Sequence, residues 1–230
     1  MSQPFLMKNW VVGPFQCNCR LIVCPNTGEA ALVDPGDEAP MILKNLKNVS
    51  LPNGRPIQLK LLLHTHGHLD HIAATRSIKE TLAKETQGAP KIAIHKEDEP
   101  LYQALKMQGQ MFQLKYDDPL PVDRYLEHEE RIQIGDLKIN VIHTPGHSPG
   151  SVSFRLHEDS KLGVSETVLT GDTLFQNSVG RTDLWGADQD TMFRSIKERL
   201  LSLDGDTIVC PGHGPDSRIG IEKNENPFLR

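Results

Sequence analysis

The sequence predicts an α/β fold in which two β-sheets pack face to face and helices cover their outer sides. Three observations lead there. Apolar runs of strand length recur in both halves of the chain, each half also carries helical stretches, and loops rich in glycine, proline and histidine follow several of the strands. Sheets and amphipathic helices are apolar on one side and must bury it against another layer, so two such halves suggest two packed sheets with helices outside.

The elements follow in order. Strand-like runs occur at WVVG (10–13), RLIVC (20–24) and AALVD (30–34), and Pro25-Asn26-Thr27-Gly28 joins the last two as a hairpin turn. A helix is expected over Ala39–Leu46, and the glycine and prolines of 49–58 make that segment a loop. LKLLL (59–63) reads as a buried strand and IAATRSIKETLAKE (72–85) as a helix. KIAIH (91–95) is a further strand. Tyr102, Met107, Met111 and Phe112 are helically spaced over 99–114; a packed face is the preferred reading, with one wall of an apolar entrance as the alternative. The charged, irregular stretch 115–128 either covers the centre or connects elements. Strands are expected at 131–134, 137–142, 151–156, 166–170 and 206–210. TMFRSIKERLLSL (191–203) is an amphipathic helix with Met192, Ile196, Leu200 and Leu203 on one stripe, and a short helix ends the chain.

A chain of 230 residues can bury a good core as one domain spanning 1–230. The net charge of −5 comes with no basic stripe, which argues against nucleic acid as a partner. No apolar run reaches the length of a membrane span. The start MSQPFLMKNWVVGPF lacks a basic segment followed by a long apolar one, so no secretory signal and a cytoplasmic location are expected. Four cysteines, at 17, 19, 24 and 210, are too few for a disulfide scaffold and read as reduced thiols. No protein partner is inferred.

The chemistry concentrates in HTHGHLDH (64–71), four histidines and an aspartate on a strand-to-helix loop. Neutral imidazole and carboxylate suit zinc and neighbouring transition metals. Such a loop can turn His66 and His68 to one point and Asp70 and His71 to a second, half of a two-metal site. Further ligands must come from elsewhere. His147 in IHTPGHSPGSV (142–152), Asp172 in VLTGDTLF (168–175) and His213 in VCPGHGP (209–215) each follow an apolar strand and sit among glycines or prolines.

HTHGHLDH, TPGHSPGS, GDTLF and PGHG, in this order over nearly the whole chain, resemble the metallo-β-lactamase superfamily. SVGRTDLWGAD (178–188) and GHGPDSRIGIEKNENPFL (212–229) resemble its short bacterial glyoxalase II-like hydrolases. The resemblance implies a four-layer αββα sandwich. It also implies that His66, His68 and His147 hold one divalent metal, that Asp70, His71 and His213 hold another, and that Asp172 bridges them. Zinc fits best, with iron or manganese as options. The implied reaction is hydrolysis of a small-molecule thioester such as S-D-lactoylglutathione by a hydroxide bridging two ions about 3.5–4 Å apart. Asp70 would be catalytic as well as a ligand, aiming the hydroxide. The chain departs from the two-domain glyoxalase II pattern: it ends soon after His213, and it has Gly214-Pro215 and GRTDL where those enzymes carry other residues. The thiol carrier is therefore left open.

Other readings stand beside this one. A mononuclear-iron persulfide dioxygenase would use His66, His147 and Asp172; a non-catalytic metal-binding interaction module and a β-lactamase are further alternatives. Asp70 could also cap a helix beginning at His71. Asp34 in LVDPGD (32–37) reads first as a cap or turn residue and second as an orienting partner of a ligand histidine. Arg181 and Asp183 either line the substrate entrance or pin their own loop as an ion pair. His64 is expected to pack or to support a ligand, His95 to be structural, and His128 and His157 to lie on the surface. Thr144-Pro145-Gly146 prevents His143 and His147 from sharing a helix.

Overall fold

The structure, a computed structural model, describes residues 6–51, 53–85 and 88–230. Part of the amino-terminal segment and Pro52 of the 49–58 loop lie outside the described residues. The first sheet runs β1 (Leu6–Val12), β2 (Cys17–Val23), β3 (Glu29–Val33), β4 (Gln58–Leu63), β5 (Lys91–His95) and β6 (Arg124–Leu126) in that spatial order. β1, β2 and β3 pair antiparallel, and β3 to β6 pair parallel. The parallel crossovers carry α1 (Ala39–Lys47), α2 (Leu69–Ile72), α3 (Thr75–Glu85), α4 (Glu99–Gln103) and α5 (Leu105–Met111). The second sheet has β7 (Arg131–Ile134), β8 (Leu137–His143), β9 (Val152–Leu156) and β10 (Thr167–Gly171). β13 (Ile208–Pro211) and β14 (Ser217–Arg218) follow beyond β10. Between them lie a small hairpin of β11 (Leu174–Phe175) and β12 (Ser178–Val179), α6 (Gln189–Ser195) and a π-helical turn at Ile196–Leu200; α7 (Ile219–Glu225) closes the fold.

Strand alternation builds three apolar layers. On β2, Leu21 and Val23 face Ile42, Leu46 and Ile78 of the outer helices, whereas Ile22 faces the second sheet. On β4, Leu62 points outward and Leu61 and Leu63 inward, to a layer shared with Ile139, Val141, Phe154 and Leu169. Val168 and Val209 turn to the other outer side against Met192, Ile196, Leu200 and Ile219. This is the four-layer αββα sandwich that the sequence led us to expect. The period-2 placement follows from successive side chains leaving a strand on opposite faces.

Three expectations need correction. The helix expected over 72–85 is two: it breaks after α2, where the Ala74 N–H donates to Pro35 O at 3.0 Å instead of continuing the ladder. The helical run at 99–114 divides at Ala104 into α4 and α5. The irregular stretch 115–128 ends in edge strand β6, which the charged sequence hid. It connects elements, with Tyr116 donating to Asp37 at 3.0 Å and Leu120 O accepting from Tyr102 at 3.0 Å. All four cysteines are buried and free. Among the described residues, no helix is long and apolar enough to cross a membrane.

Candidate metal centre

Every predicted ligand follows the end of a strand, on the loop that leaves it or, for Asp70 and His71, in the short helix α2 that the loop enters. β4 delivers His66, His68, Asp70 and His71; β8 delivers His147; β10 delivers Asp172; β13 delivers His213. The loops meet at one edge of the sandwich. Two triads result, His66–His68–His147 and Asp70–His71–His213, with ligand atoms of each within 4.8 Å of one another. Asp172 stands between them. Its Oδ2 lies 3.6 Å from His147 Nε2 and 3.5 Å from His213 Nε2, and its Oδ1 lies 3.3 Å from His71 Nε2. Gly212 makes room for this carboxylate: a Cβ there would collide with Asp172 Oδ1 and crowd His71.

Hydrogen bonds behind the ligands fix which ring nitrogen is free. His71 Nδ1–H donates to Asp34 Oδ2 at 3.0 Å, His147 Nδ1–H to Arg181 O at 2.8 Å, and His213 Nδ1–H to Gln16 O at 3.3 Å. The Thr65 hydroxyl donates to Asp34 Oδ2 at 2.7 Å, so its oxygen accepts from His66 Nδ1–H at 3.0 Å. In each neutral ring the proton sits on Nδ1, leaving the Nε2 lone pair to point inward. His147 Nε2 meets His68 Nδ1 at 2.9 Å, and His71 Nε2 meets His213 Nε2 at 3.3 Å. His213 Nε2 is also 3.2 Å from Asp70 Oδ2. Imidazole nitrogens and carboxylate oxygens converging at such distances are the donor set that a divalent metal ion takes.

The donor set fits metal ions on a second count. His66 Nε2 and Asp172 Oδ1 are buried with no hydrogen-bond partner. A buried polar atom without a partner is costly, and a cation would satisfy both. Electrostatics divide the triads. Burial, with His71 and His147 adding to it, pushes His66 well below its ordinary range; burial and His147 push His68 down to about 3. His66 and His68 thus offer neutral imidazoles. For His71, burial disfavours the charge, but Cys17, Asp172, Asp70 and Asp34 outweigh it and hold the ring well above its ordinary value. Burial also opposes ionisation of Asp70 and Asp172, yet His71 and the neighbouring imidazoles hold both carboxyls low.

The side chains around the ligands take the following roles, some expected from sequence and some not. Asp34 is neither cap nor turn decoration: its buried carboxylate accepts from Thr65 N (2.8 Å), Thr65 Oγ1 and His71. Its backbone sits at φ 51° at the end of β3, and its side chain meets the outer nitrogen of His71. Asp70 does not cap a helix, because α2 begins at Leu69 with His68 before it. His64 packs beneath the loop, 3.3 Å from His71 O and 3.2 Å from Thr75 Oγ1. His95 and His143 stack at 4.2 Å with rings 14° apart. Arg181 and Asp183 form a bidentate ion pair at 2.7 and 2.8 Å, and Arg181 also lines the cavity over the centre. Of the four residues assigned to a packed helical face, only Tyr102 is buried; Met107, Met111 and Phe112 are exposed and wall that cavity.

Two supporting residues escape a reading of the sequence. Asp98, fully buried, accepts from Gly67 N at 2.7 Å, Ser148 Oγ at 2.7 Å and Gly150 N. It ties the loop of His66 and His68 to the loop of His147. Gln108 accepts from Leu69 N at 3.0 Å and donates to Gly67 O at 3.0 Å. Asp98 lies in the charged run HKEDEP, which looks solvated, and nothing local marks it as buried.

Comparison with known proteins agrees with this geometry. Residues 12–213 match the family model described as the metallo-beta-lactamase superfamily. The chain is 37% identical over 219 residues to hydroxyacylglutathione hydrolase GloC of Haemophilus influenzae, covering 95% of each. Among solved structures it resembles the BLEG-1 B3 metallo-beta-lactamase, with TM-score 0.82 and 34% identity over 97% of this chain and 99% of that one. It also resembles TTHA1623 in a di-iron-bound form, with TM-score 0.80 and 37% identity over 96% and 100%.

Proposed function

The chain belongs to the metallo-beta-lactamase superfamily of metallo-hydrolases, and from that premise we propose that it is a dinuclear thioester hydrolase of the glyoxalase II-like type, with S-D-lactoylglutathione as reference substrate. The reading treats residues 1–230 as one catalytic domain. The observation that carries it is the pair of triads meeting at Asp172 with their lone pairs turned inward. His66, His68 and His147 would hold one divalent ion, Asp70, His71 and His213 the other, and Asp172 would touch both. Three imidazoles on one side and two imidazoles with a carboxylate on the other suit zinc, and the same donors accept iron or manganese.

Ions held there would supply Lewis-acid polarisation of a carbonyl and a water acidic enough to ionise near pH 7. The chain's own groups do the rest. Asp70, on the cavity floor, accepts a hydrogen bond from the attacking water at Oδ2 and aims its lone pair. Asp34, Thr65, Gln16 O and Arg181 O keep the imidazoles in one tautomer and orientation. The apolar cavity walls exclude bulk water around the reacting carbonyl. A thiolate is a good leaving group that needs no proton from a general acid, so a thioester matches this site.

The test is metal content per chain on protein purified without added metal, alongside hydrolysis of S-D-lactoylglutathione. Two metals and thiol release are expected. One iron per chain, no hydrolysis and oxygen uptake with glutathione persulfide would replace this reading by the dioxygenase. Full occupancy with neither turnover would leave a non-catalytic module.

A further inference from the structure

Above the metal centre lies a cavity of about 460 Å³ whose floor is the ligand set and whose walls are apolar. Met107, Met111, Phe112, Leu184 and Trp185 are among its lining residues. Phe15 comes from the turn after β1 and meets Phe112 edge to face, with centroids 5.1 Å apart. Met107, Met111, Phe112 and Trp185 are 56, 76, 52 and 64% exposed, so large apolar side chains gather in water around one opening. Such a cluster marks a binding surface, because leaving it wet forgoes the free energy of covering it. Its position directly over the ligands identifies what covers it as the substrate.

Charge narrows the substrate further. Among the described residues lining the cavity, Arg181 is the one Lys or Arg, and Asp183 already holds its guanidinium through two bonds. Asp70 and Asp172 lie at the floor. A glutathionyl group brings two carboxylates, which ask for unpaired basic partners that these walls do not offer. Methionines instead offer flexible, polarisable surface that adapts to chains of different length.

Resting on the hydrolase reading above, we infer that the cavity selects thioesters with an apolar acyl chain, which lies along Met107, Met111 and Trp185 while the carbonyl sits over the metal ligands. Water oxygen bonds to the carbonyl carbon as the C–S bond breaks; the products are the carboxylate, the thiol and a proton.

The experiment uses metal-loaded protein and N-acetylcysteamine thioesters of acetate, butyrate, hexanoate and octanoate, with S-D-lactoylglutathione beside them. Each methylene that enters the cavity should raise kcat/KM about threefold. A second readout needs no turnover: quenching of tryptophan fluorescence by the S-methyl, S-butyl and S-hexyl thioethers of N-acetylcysteamine should give Kd values falling by a similar factor per methylene. The double variant Met107→Ser with Met111→Ser, checked for unchanged metal content and melting, should flatten both series. Flat series in the unaltered protein, with lactoylglutathione hydrolysed, would overturn the inference and leave the hydrolase reading standing. A steep binding series with no thioester hydrolysed would remove the hydrolase reading and keep the apolar preference for another substrate.

Discussion

Asp34 and His71 form a buried pair, with Oδ2 and Nδ1 3.0 Å apart and both side chains almost wholly out of solvent. The carboxylate does not reach the metal centre. It fixes the proton on the far side of the ring and so turns Nε2 inward. Asp34→Ala would also strand the Thr65 N–H and hydroxyl. Metal affinity is expected to fall about 10- to 100-fold, and unfolding stability by roughly 3 kcal/mol. Chelator competition and urea unfolding measure the two; unchanged affinity would show that His71 needs no orienting partner.

Asp172 and His213 should differ as variants. Asp172 faces ligands of both triads, whereas His213 faces only the second. Asp172→Ala is expected to yield protein poor in both metals. His213→Ala should retain about one metal per chain, bound by the three imidazoles of the first triad. Metal analysis after dialysis decides, and wild-type content in Asp172→Ala would count heavily against bridging.

Asp98 touches no ligand side chain, yet it joins two ligand loops. Asp98→Ala leaves the buried Gly67 and Gly150 N–H groups unpaired and should cost about 3 kcal/mol. Its signature is selective: affinity at the triad of His66, His68 and His147 should fall more than at the other. Equal weakening of both would reduce Asp98 to general support.

Metal loading should release protons. Without metal, Cys17 and the carboxylates of Asp172, Asp70 and Asp34 favour the protonated ring of His71 against its burial, holding it well above its ordinary value. An ion entering there must displace that proton, and affinity therefore falls as pH falls. Calorimetric titration of metal into stripped protein, in buffers of different ionisation enthalpy, reads the proton count and sign. Uptake of protons would contradict the charged state of His71.

The candidate ligand set was legible because its residue types are rare together and because loops after apolar strands can be recognised by glycine and proline. The layered fold was legible from strand alternation at runs such as β2 and β4. The supporting cast was not. Asp98 looks like one more acid in a charged run, and only the tertiary packing of α4 against the loops buries it. Asp34 has no local sign that it bonds a residue 37 positions away. Met107, Met111 and Phe112 carry the spacing of a packed helix, and periodicity cannot tell a core from a ligand-facing wall. Segment 115–128 yielded no strand because edge strand β6 has only three residues and polar neighbours.

Each triad mixes the two halves of the sandwich: His66, His68, Asp70 and His71 leave the first sheet, and His147, Asp172 and His213 leave the second. An ion held by either triad is thus a clasp across the seam between the sheets. Neither half could assemble a complete coordination sphere alone. Metal retention would then gauge how firmly the halves are docked, and a chain nicked between β6 and β7 would be expected to stay joined in metal and to loosen in chelator.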